Sequence, residues 1–247
     1  MKIIIPTLQH KINKQSTFNN LFKLKEHIWF VTDKNTAKEL CGIHNQICVV
    51  DKNNVTHVDL IEYIVKDRFI GQTVWVVNDN VEFAKYSTMP NEKYLLQRKI
   101  SREPRLMLKL WNTLNMYAKR FDNGGLFSAI IPPESKNWPG IQNNLYINNF
   151  WLNLKKINLT NIDFKCQCRP DLLIFLTILQ RQHSSALIYE YGIHNNADIQ
   201  LNNKEIEFIK NNFDEHVNID NNKISFKAPS KTITQNTFSD FFVEQPA

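Results

Sequence analysis

Cysteine is scarce in this chain, and its spacing lacks the pattern of a metal module. Only Cys41, Cys48, Cys166 and Cys168 occur, with no C-x-x-C pair, and the Cys166-Gln167-Cys168 triplet has no second half elsewhere. A structural zinc site needs paired ligands of that kind, so none is expected. Long apolar runs are also missing. The longest stretch, near Leu172–Leu179, is interrupted, and a membrane span needs about 18 consecutive apolar residues. The opening Met1–Thr7 is too short for a secretory signal and meets Pro6 at once, so it reads as a first strand. Reduced thiols and a cytoplasmic setting are therefore expected. No internal repeat is visible.

What is present is ordinary for a globular protein. The 247 residues are 43% hydrophobic and 22% charged, which excludes bulk disorder, collagen and coiled coil. Lys plus Arg number 30 against 24 acids, a net charge of +6. Such a balance suits nucleic acid, nucleotide phosphates or other anionic partners, but does not require them.

The first eighty residues alternate between two patterns. Lys2–Thr7, His27–Thr32, Gln46–Asp51 and Thr73–Asn78 are short runs rich in β-branched and aromatic residues, each closed by polar ones. They read as buried parallel strands. Gln15–Lys25, Thr36–Leu40 and Val58–Phe69 carry helical spacing between them. This predicts an α/β fold, a Rossmann-type mostly parallel sheet flanked by helices with right-handed crossovers. Ligands of such sheets bind beyond the carboxyl ends of the strands. That rim would carry Pro6-Thr7, Thr32-Asp33, Asp51 and Asn78-Asp79-Asn80.

Further on, Arg105–Arg120 reads as a helix ended by a turn at Asp122-Asn123-Gly124-Gly125, followed by a strand at Leu126–Ile131. Pro170–Gln182 reads as a buried helix with Pro at its first turn. Ala186–Tyr191 reads as a strand and Asn203–Asn212 as a helix. His216–Ile219 and Lys223–Lys227 flank a hairpin turn. From Ala228 the chain turns polar and is expected to leave the fold. The domain reading is 1–228 for the folded unit and 229–247 for a flexible tail.

Four groups of residues could carry chemistry. Asn78-Asp79-Asn80 supplies hard oxygen ligands suited to Mg²⁺ or Mn²⁺ with a bound diphosphate, or simply turn formers. The segment Lys93–Arg120 gathers Arg98, Arg102, Arg105, Lys109, Lys119 and Arg120 around Trp111 and Tyr117. Its cations suit the phosphates of DNA and an aromatic suits a flipped base; the alternative is a solvated helix face with Trp111 in the core. Ser135–Gly140 could serve as an acceptor loop. In the tail, Gln235, Phe238, Phe241 and Phe242 fall in the form Gln-x-x-apolar-x-x-aromatic-aromatic. A single helical turn would present the three rings as one apolar plug.

The stretches Ile3–Leu21, Val74–Tyr86, Cys168–Gln182 and Leu187–Asn195, in this order and spacing, resemble GT-A-fold glycosyltransferases. More closely, they resemble the phage TET-associated glycosyltransferases that sugar-modify hydroxymethylated pyrimidines in DNA. Ile5-Pro6-Thr7 and Gln15-Ser16-Thr17 match the family's opening strand and helix, and Asp171 matches a later acidic residue that opens an apolar helix. The family's aspartate run reads Asn78-Asp79-Asn80 here, with one carboxylate. Its Arg-bearing helix has Arg68 as the nearest substitute.

The resemblance implies a nucleotide-sugar donor, most simply a UDP-sugar, bound by Pro6, Thr7 and Asp79. It implies a divalent metal on Asp79, Asn80 and His194, and a role for Asp171 as base or oxocarbenium stabiliser at the acceptor hydroxyl. It implies duplex DNA with modified bases as partner. The tail resembles the PIP-box peptide that docks on sliding clamps, and so implies the phage clamp as a second partner. No membrane partner is expected. Two other readings stay open: a glycosyltransferase on a non-DNA acceptor, and a catalytically inactive GT-A-like module that binds DNA and the clamp.

Overall fold

A computed structural model describes residues 1–8, 16–87, 96–100, 103–128, 149–166, 168–194, 201–220 and 223–226. The predicted α/β fold is observed. The amino-terminal half runs β1 (Lys2–Pro6), α1 (Ser16–Asn20), a 3₁₀ turn (Phe22–His27), β2 (Ile28–Thr32), α2 (Lys34–Leu40), β3 (Ile47–Val49), α3 (His57–Tyr63) with a π-helical turn (Ile64–Arg68), and β4 (Thr73–Val77). The rest runs β5 (Glu82–Ser87), β6 (Leu96–Lys99), α4 (Pro104–Arg120), β7 (Asn123–Ser128), β8 (Asn149–Asn153), α5 (Pro170–Gln180), β9 (Ser185–His194), α6 (Asn203–Phe213), β10 (Val217–Asp220) and β11 (Lys223–Phe226).

One nine-stranded sheet has the order β3-β2-β1-β4-β8-β7-β9-β5-β6, and β10 and β11 form a separate hairpin. The pairings β3-β2, β2-β1, β1-β4 and β7-β9 are parallel. Those of β4-β8, β8-β7, β9-β5 and β5-β6 are antiparallel. Traced across the sheet, β1, β2, β3, β4, β6, β7 and β9 point one way and β5 and β8 point against them.

The strands are buried on both faces, which is why they read as near-continuous apolar runs. In β1, Ile3 and Ile5 join one cluster with Trp75, Val77, Leu110 and Leu114, beneath α1 and α4. Ile4 joins the other with Val74, Val76, Leu60, Ile64 and Leu172, beneath α3, α5 and α6. Alternate side chains of one strand thus serve opposite cores. The helix α5 is apolar on nearly all sides because it lies inside the second cluster.

Two expectations about local structure need correction. Asn123-Gly124-Gly125 is not a turn but the start of β7, pairing with β8 and β9. A Cβ on Gly124 would overlap the Trp151 ring and the Ala186 carbonyl. The glycine is there for a close approach between strands rather than for a bend. The predicted helix Gln15–Lys25 is only one α-helical turn, Ser16–Asn20, followed by the 3₁₀ segment. The predicted hairpin near 216–227 is observed. The predicted strand reaches past Ser128 to Ile131 only outside the described residues.

Candidate functional site

The strand order turns at β1. From β1 the chain steps to β2 and β3 on one side, then returns through α3 to β4 on the other. The crossovers of α1 and α2 cover one face and that of α3 the other, so the loops leaving β1 and β4 diverge and open a crevice. A cleft of about 390 Å³ lies there, lined by Pro6, Thr7 and Leu8 after β1, Asn78, Asp79 and Asn80 after β4, and His57. The predicted rim residues Pro6, Thr7, Asp79 and Asn80 are therefore brought together.

Two short hydrogen-bond sets fix the Asp79 loop. The Thr7 hydroxyl donates to Asp79 Oδ2 at 2.6 Å. Thr7 is almost wholly buried, so the carboxylate is held from below by a rigid strand end. From α1, the Thr17 hydroxyl donates to the Asn78 carbonyl and accepts from the Val81 amide at 2.8 Å. The Thr17 amide donates to the Asp79 carbonyl at 3.2 Å, and the Asn20 side chain donates to the Val81 carbonyl at 3.1 Å. One helical turn thus grips the loop at three residues. The five-residue helix thus works as a clamp on this loop while its Phe18 joins the core.

The opposite wall comes from the start of α3, and α5 packs beside α3 on one face of the sheet. Both begin at the carboxyl rim. The start of α3 is fixed by a capping box between Thr56 and Asp59, and the start of α5 by Pro170 at its first turn. His57 opens the first helix and Asp171 the second. His57 keeps an exposed surface, yet the protein crowding around it lowers its pKa, and the carboxylates of Asp171 and Asp79 act in the raising sense. Asp171, half-buried, is thus within electrostatic range of His57, as Asp79 is. Sequence reading missed His57. Its only local signal was a position just after Thr56, the cap of a helix that begins at the rim.

Among the described residues no group of three or more His, Cys, Asp and Glu side chains could hold a metal ion. His194 ends β9, where its backbone pairs with Glu82 of β5. Since β9 points the same way as β1, His194 stands at the same rim. The donors that share the cleft are one carboxylate, Asp79, and the carboxamides of Asn78 and Asn80. Such a set fits a divalent ion that arrives with phosphate oxygens, the usual mode for Mg²⁺, rather than one held by protein alone.

The other rim residues have structural partners. Asp33 caps α2, accepting from the Asn35 and Thr36 amides and the Thr36 hydroxyl. These bonds lower its pKa against the opposing effect of burial. Asp51 is exposed and paired with Lys34.

The predicted basic segment is divided by the fold. Arg105, Lys109, Lys119 and Arg120 are all exposed on α4, but this helix runs about 25 Å from the carboxyl rim to the opposite one. Arg105 and Lys109 lie toward the cleft end. Lys119 lies at the far end, where its charge, with those of Lys155 and Lys2, adds to burial in lowering the pKa of the Met1 amine. Arg98 is in the edge strand β6, opposite Lys85 of β5. Trp111 is not a platform for a base: it is buried and stacked on His27 at 5.0 Å. Arg102, the loop 135–140, and Gln235, Phe238, Phe241 and Phe242 lie outside the described residues.

Fold and cleft together define an α/β protein of Rossmann-like arrangement with a polar crevice where its parallel strands change direction. No protein-family model matches the chain, and no curated protein is similar enough to count as a relative. No helix among the described residues is long and apolar enough to cross a membrane.

Proposed function

We propose that this chain is a glycosyltransferase that moves a sugar from a nucleotide-sugar, a UDP-sugar in the simplest case, to a hydroxymethylated pyrimidine in DNA. The observation that carries this reading is the convergence of three separate segments on one cleft. Thr7 and Asp79 come from two strand ends and His57 from the start of a helix, with the Asp171 carboxylate within electrostatic range of His57.

In this reading Pro6, Thr7 and Asp79 hold the donor. Asp79 and the Asn80 carboxamide would hold a Mn²⁺ or Mg²⁺ ion, with His194 at the same rim, and that ion would neutralise the diphosphate as it leaves. Thr7 keeps the Asp79 carboxylate aimed into the cleft. Asp171 accepts the proton of the acceptor hydroxyl or stabilises positive charge developing on the sugar. Arg105 and Lys109 at the near end of α4, with Arg98 and Arg102, would contact DNA phosphates in a salt-dependent way. The tail residues Gln235, Phe238, Phe241 and Phe242 would dock on a sliding clamp and raise the local concentration of newly made DNA. The reaction would take place in the cytoplasm of a phage-infected cell.

A second reading is a non-catalytic module of the same fold that binds DNA and the clamp. The single carboxylate in the cleft lining favours it. One assay separates the two. The protein is incubated with Mn²⁺ or Mg²⁺, a panel of nucleotide-sugars, and DNA carrying cytosine, hydroxymethylcytosine or hydroxymethyluracil. Nucleosides are then analysed by mass spectrometry. A sugar mass on a hydroxymethylated base supports transfer. Nucleotide-sugar binding with no product supports the non-catalytic module. In a parallel incubation with polysaccharide and small-molecule acceptors, a sugar mass on one of these and none on DNA moves the acceptor away from DNA.

A further inference from the structure

Among the described residues that line the cleft, Pro6, Thr7, Leu8, His57, Asn78, Asp79 and Asn80, none is lysine or arginine. The Thr7 hydroxyl proton is committed to Asp79. The Asp79 carboxylate lines the cleft, and Asp171 acts electrostatically on His57. A diphosphate brought into such a site meets like charge. It therefore requires hydrogen-bond donors as well as any cation that accompanies it. The side-chain N–H donors that the lining offers are the carboxamides of Asn78 and Asn80 and the imidazole of His57. The first two stand on the same loop as Asp79. Among the described residues, only His57 reaches the cleft from the other wall.

We infer that His57 is the side chain that receives the phosphate portion of the cleft's ligand, through an imidazole N–H. This rests on the reading of the cleft as a donor site. Three further observations agree. The residue sits at the start of a helix locked by the Thr56–Asp59 capping box, so its position is set by a rigid element. It keeps an exposed surface on the cleft. Crowding favours its neutral form, and a neutral imidazole still presents one N–H donor while adding no second charge to neutralise.

The test uses the full chain with Mn²⁺ and three probes, UDP, inorganic pyrophosphate and uridine, titrated calorimetrically. His57→Ala is expected to weaken UDP and pyrophosphate binding about tenfold or more, the usual cost of losing a hydrogen bond to a charged group. Uridine binding stays unchanged, and His57→Arg recovers most of the loss. In the wild-type chain, with diamagnetic Mg²⁺ in place of Mn²⁺, the His57 imidazole resonances shift on adding UDP or pyrophosphate and stay fixed on adding uridine. That second measurement needs no variant and stands even if His57→Ala does not fold. UDP affinity within twofold of wild type in His57→Ala overturns the inference. So does an equal loss for UDP and uridine, or an imidazole signal that UDP leaves unmoved. Each of these leaves the donor-site reading intact. A wild-type chain that binds neither UDP nor pyrophosphate overturns both together.

Discussion

The hydroxyl of Thr7 donates to Oδ2 of Asp79 at 2.6 Å, across 72 residues of sequence. This one bond joins the ends of two parallel neighbours, β1 and β4, at the point where the sheet changes direction. It also holds the one carboxylate found among the described residues of the cleft lining. Thr7→Val keeps the volume and removes the donor. It is expected to cost about 1 kcal/mol of stability, read by chemical denaturation, and to lower transfer activity more than its stability loss explains. Asp79→Ala is expected to abolish transfer with the fold intact by circular dichroism. Unchanged activity in Asp79→Ala would sink its assignment to the donor diphosphate.

Thr17 should matter as much as Thr7 although it does not line the cleft. Its hydroxyl serves the Asn78 carbonyl and the Val81 amide at once, in a fully buried position. Thr17→Val leaves the buried Val81 amide without its acceptor, a loss of about 2 kcal/mol. The matching expectation is a lower melting temperature together with faster hydrogen exchange at Val81. Exchange as slow as in wild type would show that the clamp lies elsewhere.

Gly124 is the sharpest test of the packing. An added methyl meets the Trp151 ring and a β9 carbonyl, neither of which can yield without moving backbone. Gly124→Ala is expected to lose about 3 kcal/mol or more, read as a large fall in denaturation midpoint or in soluble yield. Gly42, whose Cβ would meet nothing, is the control.

Asp59 supplies a pH dependence. Bonds from Thr56, with help from Lys52, hold its pKa down to about 2 from 3.8 despite some burial. The folded value lies below the unfolded one. The carboxylate therefore contributes stability that is full above pH 3.8 and is lost as pH falls through about 2. Asp59→Asn should flatten the stability curve in that acid window and leave its slope above pH 5 as it was, about one unit clear of the unfolded pKa. An unaltered acid limb would show that Asp59 is not specially held.

On α4, charge reversal at the two ends should give unequal results. Arg105→Glu with Lys109→Glu is expected to weaken DNA binding and to reduce its salt dependence, about one ion per lost phosphate contact. Lys119→Glu with Arg120→Glu, at the other end of a helix about 25 Å long, is expected to do less. Equal effects would place DNA along the whole helix rather than at the cleft end. For the tail, removal of residues 235–247 should abolish clamp binding and spare transfer to free DNA.

Much of the fold was legible because its signals are local. The four parallel strands announce themselves as short β-branched runs, since strands buried on both faces need apolar residues at every position. The helix α5 was readable from Pro170 and the apolar residues behind it, and the pairing of β10 with β11 from the Asp220-Asn221-Asn222 sequence between two β-prone runs. The failures have one cause. Asn123-Gly124-Gly125 has turn composition, but its glycines answer to Trp151, a neighbour across the sheet. Trp111 looked available because its helix is basic, yet the helix turns that ring inward against His27.

The site divides in the same way. Sequence alone determined that Pro6-Thr7 and Asn78-Asp79-Asn80 would share a rim, because right-handed crossovers send the carboxyl ends of successive parallel strands to one side. Only the tertiary structure decided the rest. It set Thr7 on Asp79, brought His57 to their cleft, put Asp171 within electrostatic range of His57, and carried Lys119 and Arg120 away to the far rim. Those outcomes depend on which elements become neighbours and on where each helix starts. Periodicity along one chain records the face a residue presents, and says nothing about what will be standing opposite it.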